Sequence, residues 1–212
     1  MSRIFLLSPA NCRGRRAQQV LSPRATFPVA TRLRGDGVPI GELFAFMSGL
    51  YFRGKITYAQ KFGRAFVISP DEGLIPAETT ITSEVLVRFG DAEIALDNPA
   101  YRSPLERTAR DLAASTADCE VVLLGSVASA KYVDVLSAIF GSRLVFPPAF
   151  VGRGDMSRGG LLLRAAAASE ELHYIPVIGA VRRGSRPPRL EPLKRASVHE
   201  PKVQGSRVLI RS

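Results

Sequence analysis

Short apolar runs that stop at turn residues alternate along this chain with longer stretches in which apolar side chains recur every three or four positions. The short runs at 4–7, 65–69, 120–124, 143–146 and 173–177 read as buried strands. The longer stretches read as helices at 11–21 (after an Asn11 cap), 82–89, 103–115, 130–140 and 157–172. Residues 41–62 fit one long helix or two broken ones, with Gly49 and Gly54 as candidate breaks. Residues 22–39 are rich in Pro, Arg and Gly and read as a loop. No internal repeat is visible. Strands alternating with helices of this length predict an α/β fold: a mainly parallel central sheet flanked by helices on both faces.

Charge changes the picture at one end. The 29 basic and 19 acidic residues give a net charge of +10. Residues 182–212 hold nine Lys/Arg and two acids, which is +7 and leaves +3 for residues 1–181. The expected organisation is therefore an α/β domain over 1–181 and a basic tail over 182–212. Pro187, Pro188, Pro192 and Pro201 favour an extended tail, with an edge strand conceivable only at 208–210. A balance this basic points to an anionic partner such as nucleic acid, phosphates or an acidic surface.

Other features narrow the class. Cys12 and Cys119 form neither a metal-type pair nor a disulfide framework. His173 and His199 have no partner at metal spacing, so neither metal nor cofactor is expected. The apolar run near the start is too short for a signal peptide, and no stretch reaches the roughly 20 apolar residues of a membrane span. The expected partner is not a membrane and the expected location is the cytoplasm. Oligomeric state stays open.

Ligands of open α/β sheets bind at the carboxyl ends of strands. Collecting the residues that follow each strand gives the candidate site. Ser8 and Asn11 follow the first strand; Asp71 and Glu72 follow the second; Gly125, Ser126, Ser129 and Lys131 follow the third. Residues 152–160 follow the fourth and hold Arg153, Gly154, Asp155, Ser157 and Arg158. Glycines admit close backbone approach, free helix-start amides favour an anion, and arginines add forked donors. Asp155, Asp71, Glu72 and Asn11 are the candidate catalytic groups. Ser8, Gly125, Ser126, Ser129, Lys131, Arg153, Gly154, Ser157 and Arg158 are the candidate ligand or phosphate contacts. Tyr51 and Phe52, beside Arg53 and Lys55, are candidate base-stacking residues. Each has a plainer alternative: turn residues, helix caps, core aromatics and solvated cations. The phosphate-loop, dinucleotide and nucleophile-elbow patterns are missing.

The order of these segments resembles a known family. Residues 4–7 leading into Ser8-Pro9-Ala10 come first, then Gly49-Leu50-Tyr51 with Lys55 and Tyr58-Ala59. Val67-Ile68-Ser69 follows, leading to Glu72-Gly73-Leu74-Ile75-Pro76. Together with 121–136 and the Gly-rich 152–160, these are similar to the superfamily of YaaA-type peroxide-stress proteins and the domain found in archaeosine synthases. Here Asn11-Cys12-Arg13 stands where many relatives carry an early Lys. The resemblance implies a uracil-DNA-glycosylase-like fold and an association with DNA or modified nucleobases. No His occupies 152–160, so the late-loop His of glycosylases has no counterpart.

The leading expectation is a protein that acts on a nucleobase in nucleic acid, by cleavage or exchange of an N-glycosidic bond. A non-catalytic DNA- or RNA-binding protein and an enzyme on a free phosphorylated nucleoside are the alternatives.

Overall fold

The computed structural model describes residues 3–190. Its central sheet has six strands: β1 (Arg3–Leu7), β3 (Arg64–Ile68), β4 (Leu74–Pro76), β6 (Glu120–Leu124), β7 (Leu144–Phe146) and β8 (Ile175–Pro176), in the order β4-β3-β1-β6-β7-β8. The inner four run parallel, and the two edge strands β4 and β8 run antiparallel to their neighbours. A separate two-stranded ladder joins β2 (Val38–Pro39) to β5 (Thr80–Ile81).

Side chains alternate across a strand, so each inner strand feeds two cores. Phe5, Leu7, Val67, Val122 and Leu124 point to one face. That face is covered by α1 (Arg15–Leu21), α2 (Pro28–Arg34), α3 (Ile40–Ser48), α4 (Leu50–Phe62), α5 (Ser83–Asp91) and α8 (Asp155–Ala168). Ile4, Leu6, Phe66, Ile68, Val121 and Leu123 point to the other face, under α6 (Pro99–Ser115) and α7 (Ala130–Phe140). The fold is the expected α/β arrangement with helices on both faces.

Several boundaries differ from the sequence reading. Residues 22–39 are not a loop throughout, because they contain α2 and β2. Pro28 occupies the first turn of α2, where its missing N–H costs nothing, and Ala30 and Leu33 are buried. The 41–62 stretch is two helices, broken at Gly49 with φ of +65°. Gly54 does not break α4. It lies where α4 crosses α8, and a Cβ there would sit 2.6 Å from the Gly159 carbonyl oxygen. The chain after Pro70–Gly73 returns at once as β4, a strand too short to show a period. The helix expected at 157–172 begins at Asp155 and stops at Ala168, where Ser169 takes a left-handed φ of 56°. The run at 173–177 contributes only the two residues of β8. The possible strand at 208–210 lies outside the described residues.

This topology gathers the strand ends. The chain moves from β1 to β3 on one side, then comes back to β6 on the other side of β1 and on to β7. The two directions part between β1 and β6, the switch point at which α/β sheets open a crevice. The loops at 69–73, 8–14, 125–129 and 147–154 therefore stand side by side on one rim.

Candidate functional site

Ser8 and Gly125 meet at the switch point. The Ser8 N–H donates to the Leu124 carbonyl at 3.3 Å, and a Cβ on Gly125 would lie 2.8 Å from Ser8 Cβ. Only glycine lets the two loops close up here. Beneath Ser8 lies Lys55 of α4, 1 % exposed. Its Nζ donates to the Ser8 carbonyl at 2.6 Å and sits 3.0 Å from Ser8 Oγ. The Tyr51 and Phe52 rings each face the same nitrogen at 4.6 Å. Among the described residues Lys55 has no ion pair. Burial outweighs the attraction of Asp155, and Arg158 opposes the charge, so the amine is pushed down to about 7.

A cavity of about 330 Å³ opens beside this cluster. Asn11, Arg13, Pro70, Phe89, Lys131 and Tyr132 line it, drawn from two of the rim loops, from α5 and from the first turn of α7. The size lies at the lower end of the roughly 300–1,000 Å³ typical of small-molecule sites. Lys131 Nζ stands 5.3 Å from the Tyr132 ring centre. Burial and the nearby Tyr51 push the Tyr132 hydroxyl up to about 12. Burial pushes Cys12, also on the cavity wall, up to about 12 with help from Asp71. That thiol stays protonated at neutral pH and is no nucleophile.

The structure separates the remaining candidates into groups. Asn11 is exposed and lines the cavity, and its Oδ1 accepts from the Arg13 N–H at 3.0 Å in a local turn. Asp71 and Glu72 are clamped by Arg88 of α5: Asp71 Oδ2 accepts from Arg88 Nε at 2.7 Å, and Glu72 accepts from Nη2. Asp71 Oδ1 is shielded from solvent with no hydrogen-bond partner among the described residues. Neither acid lines the cavity. Ser126 and Ser129 form the turn into α7 through a backbone bond of 3.1 Å, and Ser129 makes no side-chain cap.

Tyr51 and Phe52 do not serve as stacking platforms. Phe52 is fully buried, edge-on to Phe44 at 5.4 Å, and the Tyr51 ring is turned onto Lys55. A base cannot reach either face without opening the core. The Tyr51 hydroxyl is shielded from solvent, next to the Arg158 guanidinium.

On the far side of the rim, Arg158 Nε donates to the Phe150 carbonyl at 3.2 Å and Nη1 lies 3.8 Å from Asp155 Oδ1. Asp155 is exposed, and so is Gly154 just before α8. Arg153 donates to Ser157 Oγ and to the Pro188 carbonyl, both at 3.2 Å. Arg153 and Ser157 thus hold the chain at 186–190 against α8. Among the described residues no cluster of His, Cys, Asp and Glu could hold a metal, and no helix is long and apolar enough to cross a membrane.

Sequence reasoning gave no site role to Lys55, Arg13 or Phe89, and placed Tyr132 only just beyond the turn after the third strand. Lys55 carried a readable signal. It follows Tyr51 by four positions and falls on the apolar stripe of α4, where a solvated cation does not belong. Tyr132 carried none beyond its place in the first turn of a helix that follows a strand end. Comparison with protein-family models, curated proteins and solved structures finds no match to this chain.

Proposed function

We propose that this protein associates with nucleic acid and acts on a nucleobase, by cleavage or exchange of an N-glycosidic bond. The observation that carries the reading is the cavity at the switch point. Around a space of about 330 Å³ it offers an amide residue (Asn11), two aromatic residues (Phe89, Tyr132) and two cations, Lys131 and Arg13, the latter also bonded to the Gly90 carbonyl and 3.7 Å from Asp91. An amide reads a base edge, aromatic rings receive its face or edge, and cations hold the adjoining phosphate. Enzymes that work on a base in a strand take it out of the stack into such a pocket. The net charge of +10 supplies the long-range attraction. The motif resemblance to YaaA-type and archaeosine-synthase domains points the same way.

In this reading the carboxylate role falls to Asp155. Arg88 neutralises Asp71 and Glu72; Asp155 is exposed at the start of α8, outside the cavity lining, with Arg158 Nη1 3.8 Å from its Oδ1, and its charge reaches Lys55 and Tyr51. Asp155 stabilises positive charge on the sugar as the base departs. Asn11 orients the base.

The test is a paired screen of binding and base release on single- and double-stranded DNA and RNA carrying uracil and modified bases. The expected result is release of one base class, with Asp155→Ala cutting turnover at least about a hundredfold while binding is kept. Binding without release from any substrate makes the protein a non-catalytic binder. Turnover of a free nucleotide that DNA does not compete for makes it a small-molecule enzyme. Absence of both binding and release at low salt removes the proposal.

A further inference from the structure

Residues 182–190 carry four arginines, Arg182, Arg183, Arg186 and Arg189, and no acid. They lie on the domain at defined points. Arg182 and Arg183 border a cavity of about 430 Å³ with Ala128, Ala130 and Asp134, at the start of α7. The backbone at Gly184 and Ser185 then presses on Gly152, where a Cβ would fall 2.0 Å from the Ser185 carbonyl oxygen. Further on, Arg153 holds the Pro188 carbonyl. Arg186 and Arg189 border a second cavity, of about 360 Å³, with Arg153, Arg164 and Met156 of the 153–164 stretch. Among the described residues no acid lines this second cavity. Arg183, Arg186 and Arg189 are exposed, and none of the four strap arginines has an ion pair among the described residues.

Like charges brought close together repel one another, and an anion between them relieves that cost. Arginine forks match phosphate oxygens. The strap lies along the rim on which the candidate cavity opens, touching the loop after β7 and sharing a cavity with the loop after β6. We infer that residues 182–190 form a folded arginine strap along which the phosphodiester backbone of a single nucleic-acid strand runs, contacting phosphates at both cavities. The inference rests on the proposed reading for the nature of the polyanion. It goes further in assigning the backbone track to the strap and its cavity against α8, apart from the base-sized cavity at the switch point.

The probe is a fluorescein-labelled 15-nucleotide oligothymidylate, titrated by fluorescence anisotropy with the full chain between 25 and 200 mM salt. Each contacted phosphate contributes about 0.7 to the slope of log affinity on log salt for a single strand. The fourfold variant R182A/R183A/R186A/R189A is expected to bind about tenfold or more weakly at low salt, with the slope lowered by about 2 to 3. The double variant Arg186→Gln with Arg189→Gln alters only exposed side chains. It keeps the measurement decisive if the fourfold variant folds poorly, and its slope should fall by about 1 to 1.5. Unchanged affinity and slope in the double variant overturn the strap, as does failure of the wild-type chain to bind the oligomer. Inorganic phosphate that competes at submillimolar concentration also overturns it, since the site is then a free-phosphate pocket. Base release that survives in the strap variants leaves the proposed function standing without the strap. Strap-dependent binding with no base release from any substrate does the reverse.

Discussion

At the scale of single residues, Lys55 is a costly group to bury. Among the described residues it has no ion pair, and its nitrogen is held by two oxygens of Ser8 and two aromatic faces. Its amine titrates at about 7 in the folded chain against 10.5 for the ordinary lysine. Between those values the unfolded chain binds the proton that the folded chain has given up. Stability therefore rises with pH across that window, by at most about 1.4 kcal/mol per pH unit from this group. Below about pH 7 both states are protonated and the burial penalty is carried in full. Lys55→Met should remove this rise. The gap between variant and wild type should favour the variant most at low pH and close as pH climbs above 7, as read from urea unfolding between pH 6 and 10. A wild-type curve that is flat or falling across this window contradicts the assignment. The same residue shows why the site was only partly legible in the sequence. Ser8, Asn11, Gly125 and Lys131 were found because strand ends announce themselves by the residues that stop them. Lys55 reaches the site from the middle of α4, and its role depends on how that helix is rotated against β1. Asp71 and Glu72 looked available because Arg88, which neutralises both, lies sixteen and seventeen residues further on in another helix.

At the scale of elements, the crossing of α4 and α8 sets the depth of the site, since one helix brings Lys55 and the other brings Asp155 and Arg158. Two adjacent glycines on α8 face different surroundings. A Cβ at Gly159 would lie 2.7 Å from the Leu50 carbonyl oxygen and 2.8 Å from Tyr51 Cα, both backbone atoms that cannot yield. A Cβ at Gly160 would meet only Leu190 Cδ1 at 3.5 Å. Gly159→Ala should therefore destabilise the protein by about 1–3 kcal/mol or more, through separation of the helices. Gly160→Ala should be neutral or stabilising by up to about 1 kcal/mol, through helix propensity alone. Thermal unfolding of the two variants side by side checks the pair, and equal effects would mean that the helices do not cross at this point. Elements of this kind explain what the sequence showed of the fold. The cleanest strand and the helix after it, Glu120–Leu124 and Ala130–Phe140, were read at their observed bounds because periodicity and stop residues agree there. The helix α2 was hidden because Pro28 reads as a breaker unless it is known to stand in a first turn. The edge strands β4 and β8 have three and two residues, and their existence is decided by the neighbour they pair with.

At the scale of the whole molecule, residues 182–190 contribute four arginines and lie on the domain. Residues 191–212, outside the described residues, contribute five Lys/Arg and two Glu, a net +3. Removing 191–212 would leave a chain of net charge +7, and removing 182–212 would leave +3. The two truncations differ by more than charge. The longer one also strips Ser185 from Gly152, the Pro188 carbonyl from Arg153 and the Leu190 side chain from α8. A hydrogen bond is worth about 1 kcal/mol net, and the apolar contact at Leu190 adds to it. For a domain of this size each kcal/mol shifts the melting temperature by about 2–4 °C. The chain ending at Val181 should therefore melt several degrees below the chain ending at Leu190, measured by circular dichroism in the same buffer. The difference should persist in high salt, where charge repulsion is screened, because packing and a backbone hydrogen bond produce it. Two truncations that melt together would mean that the arginine segment contributes charge and no fold.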